Sequence, residues 1–529
     1  MSAADRIPVL VGAGQVTEQV PDDLREASSY VDLAAMAVER AIADTGAEQL
    51  TARIDAVAAV RTFEDTMPGS ERAFNGPQNL PWAVAKRVGA DPAIAIYEKL
   101  GGQSPQRLVY EFAERCHRGE CDMALLFGVA VIANVWAARR AGLELDWSEP
   151  DPGEFTDRGG DEIRKLMTPD LIRHGLLSPI QGYGLMETAR RADIGMSPAE
   201  YALQMGELFA AFSRVAAANP LAWFPRALSP DEIITPGERN PMLASPYTLN
   251  MVARDGVNQS AAVIVTTAGK ARSMGVPETN WIYLHGYAET EELDLMQRPG
   301  LGRSPALYQA LTGALDAAGR EVSDIRYFDL YSCFPIVVLE ARETLGIPAS
   351  DPRALTQTGG LPYFGGPGNN YSMHAIASMM QTLRGDTGSH GLVYANGGFM
   401  SKHAVGVYSS AAPAEWQPCS RSDMQEIIDG KQRIETVSSP VGAARIESWV
   451  VNYGKGSPAG VIIAGRQSDN GARFLAVGMP GDQETLAEFT GGDPSGRSIR
   501  VQAGPEANTF TFSDWGQGVA PTGITVVKY

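Results

Sequence analysis

Gly101-Gly102-Gln103-Ser104-Pro105-Gln106 and, half a chain later, Gly365-Gly366-Pro367-Gly368-Asn369-Asn370 are the two turns whose reading decides the fold. Each stands at the same place in a repeated order of elements. The first copy reads as an amphipathic helix beginning Asp32-Leu33-Ala34-Ala35-Met36-Ala37-Val38, an apolar strand over 54–60, the Gly-Gly turn, a helix, and a strand over 123–133. The second reads as a helix over 306–318, a strand over 325–330, the second turn, a helix, and a strand over 391–395. Helical spacing of apolar residues alternates with near-continuous apolar runs of strand length, and the order repeats at about half the chain. The pattern predicts a duplicated α/β core. A site in such a core lies where the halves meet, so the residues at the two turns decide the chemistry.

The first turn follows a strand over 93–97 and precedes Leu108, Val109, Phe112, Ala113 and Cys116 at helical spacing. Ser104 reads as an N-cap and Pro105 as the first helical residue. Gly101 and Gly102 let a ligand approach the free N–H groups at that helix start. The second turn places glycine or proline at four positions before Asn369 and Asn370, the composition of an anion-binding nest.

At 529 residues the chain exceeds one hydrophobic core, and roughly two to four domains are expected. Periodic strands stop between 134 and 246, where Pro, Gly, Trp and charge accumulate around one clear helix over 198–217. This reads as an insertion covering the site. A strand over 260–267 resumes the first half. The expected division is 1–133 with 247–276 as the N-terminal half, 134–246 as the insertion, 277–412 as the C-terminal half and 413–529 as an all-β domain. Short strand-like runs over 445–451, 460–465, 473–477, 498–501 and 509–512, separated by turn residues, predict a small appended β-barrel or sandwich. The run 123–138 reads as a buried strand continuing into a loop.

A net charge of −18 argues against nucleic-acid binding and obliges any phosphate-bearing ligand to find a local basic patch. Arg139-Arg140, Arg164-Lys165, Arg173-His174 and Arg190-Arg191 in the insertion offer one, or else are scattered solvated arginines. No apolar run reaches the ~18 residues of a membrane span. The N-terminus shows no basic region followed by an apolar stretch, and four cysteines make neither a disulfide framework nor a zinc site. A cytoplasmic protein without a bound metal is expected.

From Ile7 to roughly Ser410 the chain resembles the thiolase superfamily, most of all the branch related to sterol-carrier-protein thiolase. The motifs are Leu330-Tyr331-Ser332-Cys333-Phe334, the stretch 250–262 with Gly256-Val257-Asn258-Gln259-Ser260-Ala261-Ala262, and Gly397-Gly398-Phe399-Met400, in family order around the duplication. The resemblance implies a five-layered αβαβα core and chemistry on coenzyme A thioesters. In that family a cysteine takes the acyl group, a Gly-His-Pro histidine and a second cysteine handle protons, and an Asn- or His-bound water helps form an oxyanion hole. It also implies pairing of two copies through the strand before the first turn. Here that strand runs into Glu98-Lys99, charges that oppose edge pairing, so a monomer or a dimer is expected. The all-β domain resembles the small OB-like barrel of some thiolase relatives, and its acidity again argues against nucleic acid.

Aligned on these motifs, the chain lacks every reactive group. The nucleophile's place is Gly101, the histidine's is Gly366, the second cysteine's is Ala395, and the Asn or His of the third motif is Tyr331. Gly and Ala can neither attack nor carry a proton, so the standard acyl-enzyme route is closed. Three other residues stand as candidates. Cys333 precedes Pro335 and a helix over 336–345, a placement that can lower a thiol pKa, although a free cysteine is more often a buried small hydrophobe. His374 lies on the helix after the second turn, and Lys402-His403 on a turn near the same place. Gly102, Ser104, Gly365 and Asn370 are the expected contacts for the pantetheine end of coenzyme A or an acyl-CoA, and Arg139 and Arg190 for its diphosphate. Two readings stay open: an acyltransferase-class protein working by a non-standard route, or a non-catalytic acyl-CoA-binding scaffold with a protein partner. An α/β-hydrolase is set aside because no Gly-x-Ser-x-Gly elbow occurs.

Overall fold

The structure, a computed structural model, describes residues 2–513 except 49, 67–70, 151–152, 161–162, 164–165, 421 and 480. Arg164-Lys165 and the end of the all-β domain, 514–529, therefore lie outside the described residues. The strands are β1 (Pro8–Thr17), β2 (Ala56–Ala59), β3 (Ile94–Tyr97), β4 (Met123–Val131), β5 (Thr156–Asp157), β6 (Met242–Ala244), β7 (Tyr247–Thr248), β8 (Asn258–Thr267) and β9 (Ile282–Glu291). They continue as β10 (Ile325–Leu330), β11 (His390–Gly397), β12 (Lys402–Ser409), β13 (Gly442–Gly454), β14 (Ser457–Gln467), β15 (Arg473–Val477), β16 (Ser498–Gln502) and β17 (Thr509–Phe512).

The first half orders its strands β3-β2-β4-β8-β1, the second orders them β10-β11-β12-β9, and with β1 meeting β9 and β5 of the insertion added at the β3 edge they make a ten-stranded hydrogen-bonded array. β8, which follows the insertion, lies between β1 and β4. The second half's counterpart of β3 is the segment 355–358. The Leu330 N–H bonds the Leu355 carbonyl beside β10, but Asp329 takes the N–H groups of Gln357 and Thr358 and so diverts the segment from a regular ladder.

Helices Tyr30–Asp44 and Pro305–Ala318 cover the outer faces, each begun by a serine cap, Ser29 and Ser304. Helices Ser104–Arg118 and Tyr371–Gly385 touch strands of both halves and form the middle layer. Layers of helix, sheet, helix, sheet and helix thus follow the duplication read in the sequence. Near-continuous burial along β4 and β8 explains their unbroken apolar runs: each is covered on both faces.

Two local expectations are corrected. The run after β4 is a helix, Ile132–Arg140, rather than a loop. Lys402-His403 opens β12 rather than standing on a turn, with His403 opposite Asn396. The insertion also contains a second long helix, Pro179–Asp193, whose Ser178–Gln181 capping box is visible in sequence.

The all-β domain is woven in, where the sequence suggested an appended unit. Its seven-stranded sheet, β14-β15-β17-β16-β13-β6-β7, recruits β6 from the end of the insertion and β7 from just after it. Arg473 is fully buried, pairs with Glu447 at 2.7 Å and donates to the Met296 and Arg298 carbonyls of the second half. Glu98 is also reassigned. It is buried and takes Arg107 and Arg158, so it is no edge charge; β5 covers the β3 edge, held by the Arg61–Asp157 pair and by Arg158 N–H on the Tyr97 carbonyl. Among the described residues no helix is long and apolar enough to cross a membrane.

Truncating Arg473 leaves Glu447 to Arg466 alone and takes the donor from two carbonyls at this joint. Arg473→Met is expected to lower unfolding free energy by about 3 kcal/mol, measured by denaturant titration. An unchanged midpoint would show that the domain is held elsewhere.

Candidate functional site

The middle-layer helices bring their N-termini together, and Ser372 Oγ donates to the Gly102 carbonyl across the junction. Gly101 has φ 141°, a backbone conformation that favours glycine. A Cβ on Gly102 would overlap Tyr331 Oη and lie 2.6 Å from the Asn396 carbonyl, so the missing side chain is what lets Tyr331 in. Among the described residues the N–H groups of Gly101, Gly102 and Gln103 have no acceptor, leaving consecutive donors at the start of Ser104–Arg118. The second turn is spent differently. Gly366 N–H bonds the Arg254 carbonyl and Asn370 N–H the Pro367 carbonyl, which closes the expected nest on itself.

Ser104 is the first helical residue, not the cap; Gln103 holds the cap position, and the Ser104 hydroxyl donates to the Lys99 carbonyl at 2.9 Å. Gln103 was not singled out in the sequence. Its carboxamide is 1% exposed, with neither polar atom partnered, and lies against Gly101 and Gly397, where a Cβ on either would overlap Oε1. It occupies the space that a side chain on Gly101 would take. The sequence signal was a residue able to donate and accept directly after a Gly-Gly pair.

Cys333 and Tyr331 border this centre. Asn396 Nδ2 donates to Cys333 Sγ at 3.7 Å and to Tyr183 Oη at 2.9 Å. The lowered thiol pKa expected for Cys333 is corrected: burial pushes it up to about 12. The helix start after it is already answered by the buried Glu187 carboxylate, which accepts the Ile336 N–H at 2.9 Å together with the Tyr201 and Tyr247 hydroxyls. Ala395 and Gly366 carry no functional group, and nothing stands nearer than 3.3 Å to a Cβ built on Gly366.

The two candidate histidines are enclosed by protein groups. His403 is buried; Nδ1 meets Tyr394 Oη at 2.9 Å and Nε2 meets Ser304 Oγ and the Met400 carbonyl, so neither nitrogen faces a ligand. His374 pairs Nδ1 with Gln15 Oε1 at 2.9 Å, and its Nε2 is buried without a partner. Burial pushes both down to about 3, so both are neutral at physiological pH. Gly365 packs on Gln259, and Asn370 bridges to the Gly128 carbonyl at 2.7 Å, so both hold the turn to the first half.

The basic patch divides. Arg190 is buried and paired with Glu343, Arg191 with Asp493, Arg173 with Asp170 and the Ser438 carbonyl, while His174 Nε2 accepts the Asn508 N–H. Apart from Arg190, these groups fasten the insertion to the all-β domain, and none faces a ligand. Arg139 and Arg140 stay exposed at the end of Ile132–Arg140. Among the described residues no cluster of His, Cys, Asp and Glu could hold a metal.

The chain as a whole is similar to solved and curated proteins. A monomeric SCP2-thiolase-like protein type 1 from Mycobacterium smegmatis is 38% identical, with 97% of this chain and 100% of that one covered at a TM-score of 0.83. The chain belongs to the SCP2-thiolase-like proteins of the thiolase superfamily. Residues 423–505 of this thiolase-like protein match the family described as the thiolase-like protein type 1 additional C-terminal domain. The dimeric peroxisomal thiolase of Saccharomyces cerevisiae shares the fold at 15% identity and a TM-score of 0.54, over 77% of this chain and 98% of that one. Acetyl-CoA acetyltransferase 1 of Arabidopsis thaliana is 28% identical over 158 residues, which are 28% of this chain and only 35% of that protein's length.

A thiol held near 12 is almost wholly protonated at neutral pH. Alkylation of Cys333 by iodoacetamide, followed by mass spectrometry, is expected to be slow at pH 7.5 and to keep rising through pH ~10. A rate that levels off below pH ~8 would reveal an activated cysteine.

Proposed function

We propose that this protein binds coenzyme A or an acyl-CoA thioester and does not perform ordinary thiolase turnover. The observation that carries the reading is the pairing of three unspent N–H groups at Gly101, Gly102 and Gln103 with the loss of every reactive side chain around them. Donors at a helix start suit a carbonyl or anionic oxygen. Gly101, Gly366 and Ala395 supply neither nucleophile nor proton carrier, and Cys333, His374 and His403 are held neutral by burial. The thioester end enters between the Gly101 turn and the turn at 365–370, in front of Gly366, and the nucleotide end reaches the helix carrying Arg139. The kinship to thiolases and to an acetyl-CoA acetyltransferase supports this ligand class.

A single chain is the working unit. β5 covers the strand through which thiolase relatives pair, and Arg158 ties that cover to Glu98 and Glu111. Light scattering should give a monomer; a stable dimer would mean that β5 yields to a second copy.

Calorimetric titration should detect CoA and acetyl-CoA, while purified protein should leave acetoacetyl-CoA uncleaved in the presence of CoA. Removing such reactive groups costs several orders of magnitude in rate. Robust thiolysis would overturn the inert centre. Undetectable binding at millimolar ligand would leave the protein as a scaffold for a partner.

A further inference from the structure

The helix Ser104–Arg118, which starts at the Gly101 turn, ends on a pair of thiols that the site above leaves unused. Cys116 lies in its last turn. The chain then leaves through Gly119, whose φ of 75° is the left-handed conformation of a glycine stop. The Gly119 N–H bonds the Cys116 carbonyl at 3.0 Å and the Glu120 N–H the Arg115 carbonyl at 2.9 Å, so the chain folds back on the helix end. Cys121 is thereby set against Cys116, with the two Sγ atoms 3.3 Å apart.

Both thiols are held from the far side. Cys116 Sγ faces the Val265 carbonyl of β8 at 3.9 Å. Directly after Cys121, the Asp122 and Met123 N–H groups donate to the Asp55 carboxylate at 2.8 and 2.9 Å, which fixes the start of β4. The thiols are 2% and 4% exposed, yet Cys121 is the one buried residue in an otherwise exposed run of Arg118, Gly119, Glu120 and Asp122. Only this turn separates it from solvent. A buried cysteine alone is a small hydrophobe, but two whose sulfurs already touch need move only from 3.3 Å to the ~2.05 Å of a covalent bond.

We propose that Cys116 and Cys121 form a reversible disulfide, a modification site whose oxidant is a hydroperoxide, which fastens the end of the helix Ser104–Arg118 to the start of β4. The inference is independent of the coenzyme A reading. The Cys121 thiol beside it, together with burial, pushes the Cys116 thiol up, so the first step belongs to Cys121 on the exposed turn. Its thiolate attacks a peroxide oxygen; the S–O bond forms, the O–O bond breaks and water leaves after taking a proton. Cys116 then attacks the sulfur of that sulfenic acid; the S–S bond forms and the S–O bond breaks, releasing a second water. With hydrogen peroxide, two thiols lose two electrons and two protons in all, and one peroxide becomes two waters. Closing so short a loop removes freedom from the unfolded chain and lowers the unfolding constant by roughly tenfold or more.

Hydrogen peroxide in modest excess over the folded full chain, followed by alkylation, trypsin digestion without reductant and mass spectrometry, tests the site. Trypsin cuts after Arg115, Arg118 and Arg139, so the two cysteines fall in separate peptides, 116–118 and 119–139. A covalent pair of these peptides, dissolved by dithiothreitol, is expected. Cys116→Ser should leave Cys121 as a sulfenic acid that dimedone traps, and Cys121→Ser should yield no linked product. Oxidised wild type should unfold at a higher denaturant concentration than the reduced protein and return to the lower midpoint on reduction. Absence of the linked pair while Cys333 or Cys419 becomes oxidised, or its appearance only in unfolded protein, overturns the site. An oxidised protein no more stable than the reduced one overturns the fastening, and both of these readings are made on wild type, so neither depends on a variant folding.

Discussion

No side chain can stand on Gly102, and the organisation of the centre follows from that exclusion. Tyr331 Oη and the Asn396 carbonyl press on the bare Cα from the second half, and Ser372 Oγ grips its carbonyl. The two middle-layer helices can therefore start at one place with their N-termini facing a common space. Both sheets are fixed by what those helices bury, so a substituent at this residue would push apart elements distant in sequence. The duplication would survive such a change; the junction would not.

Burial sets the electrostatic character of what surrounds that junction. Glu187 illustrates how. Its carboxylate accepts the first free N–H of the helix after Cys333 and two tyrosine hydroxyls, and burial holds its own pKa above the ordinary range. The helix start that would stabilise a thiolate is thereby already satisfied, and the Cys333 thiol rises instead of falling. The same economy governs much of the insertion: Arg190 turns to Glu343 of the second half, Arg191 to Asp493 and Arg173 to the Ser438 carbonyl of the all-β domain. A net negative chain thus spends its positive groups on cohesion and keeps few for ligands.

The duplication was legible because both halves alternate strand-length apolar runs with helical spacing, and because β4 and β8, covered on both faces, read as unbroken apolar stretches. The motifs around Tyr331, Gly256 and Gly397 were legible as a family pattern. What escaped was set by contacts between distant residues. Nothing local distinguishes the helix after β4 from a loop, since Val131 runs straight into it without a side-chain cap. Strands β6 and β7 are very short and exist because β13 offers an edge. His403 reads as a turn residue beside Gly397-Gly398, yet β12 begins at Lys402 and the imidazole is sealed by Tyr394 and Ser304. Arg190 and Arg254 look alike in sequence; Glu343 answers one, and among the described residues no carboxylate answers the other.

Gln103 connects the lost chemistry to the surviving architecture. A glycine in the nucleophile's place would leave a void beside Gly397, and an empty space at a packed junction forfeits contacts on every side. The neighbouring residue's carboxamide fills it instead, in a position that a side chain on Gly101 could share only by displacing it. The filling is imperfect in one respect, because both amide atoms are buried without partners. An apolar side chain of similar size would have packed without that cost. A donor and an acceptor kept at the meeting point of two helix N-termini suit an occupant with polar atoms of its own. Gly101, Gly366 and Ala395 carry no group that can make or break a bond, while among the described residues the N–H groups of Gly101, Gly102 and Gln103 stay without an acceptor.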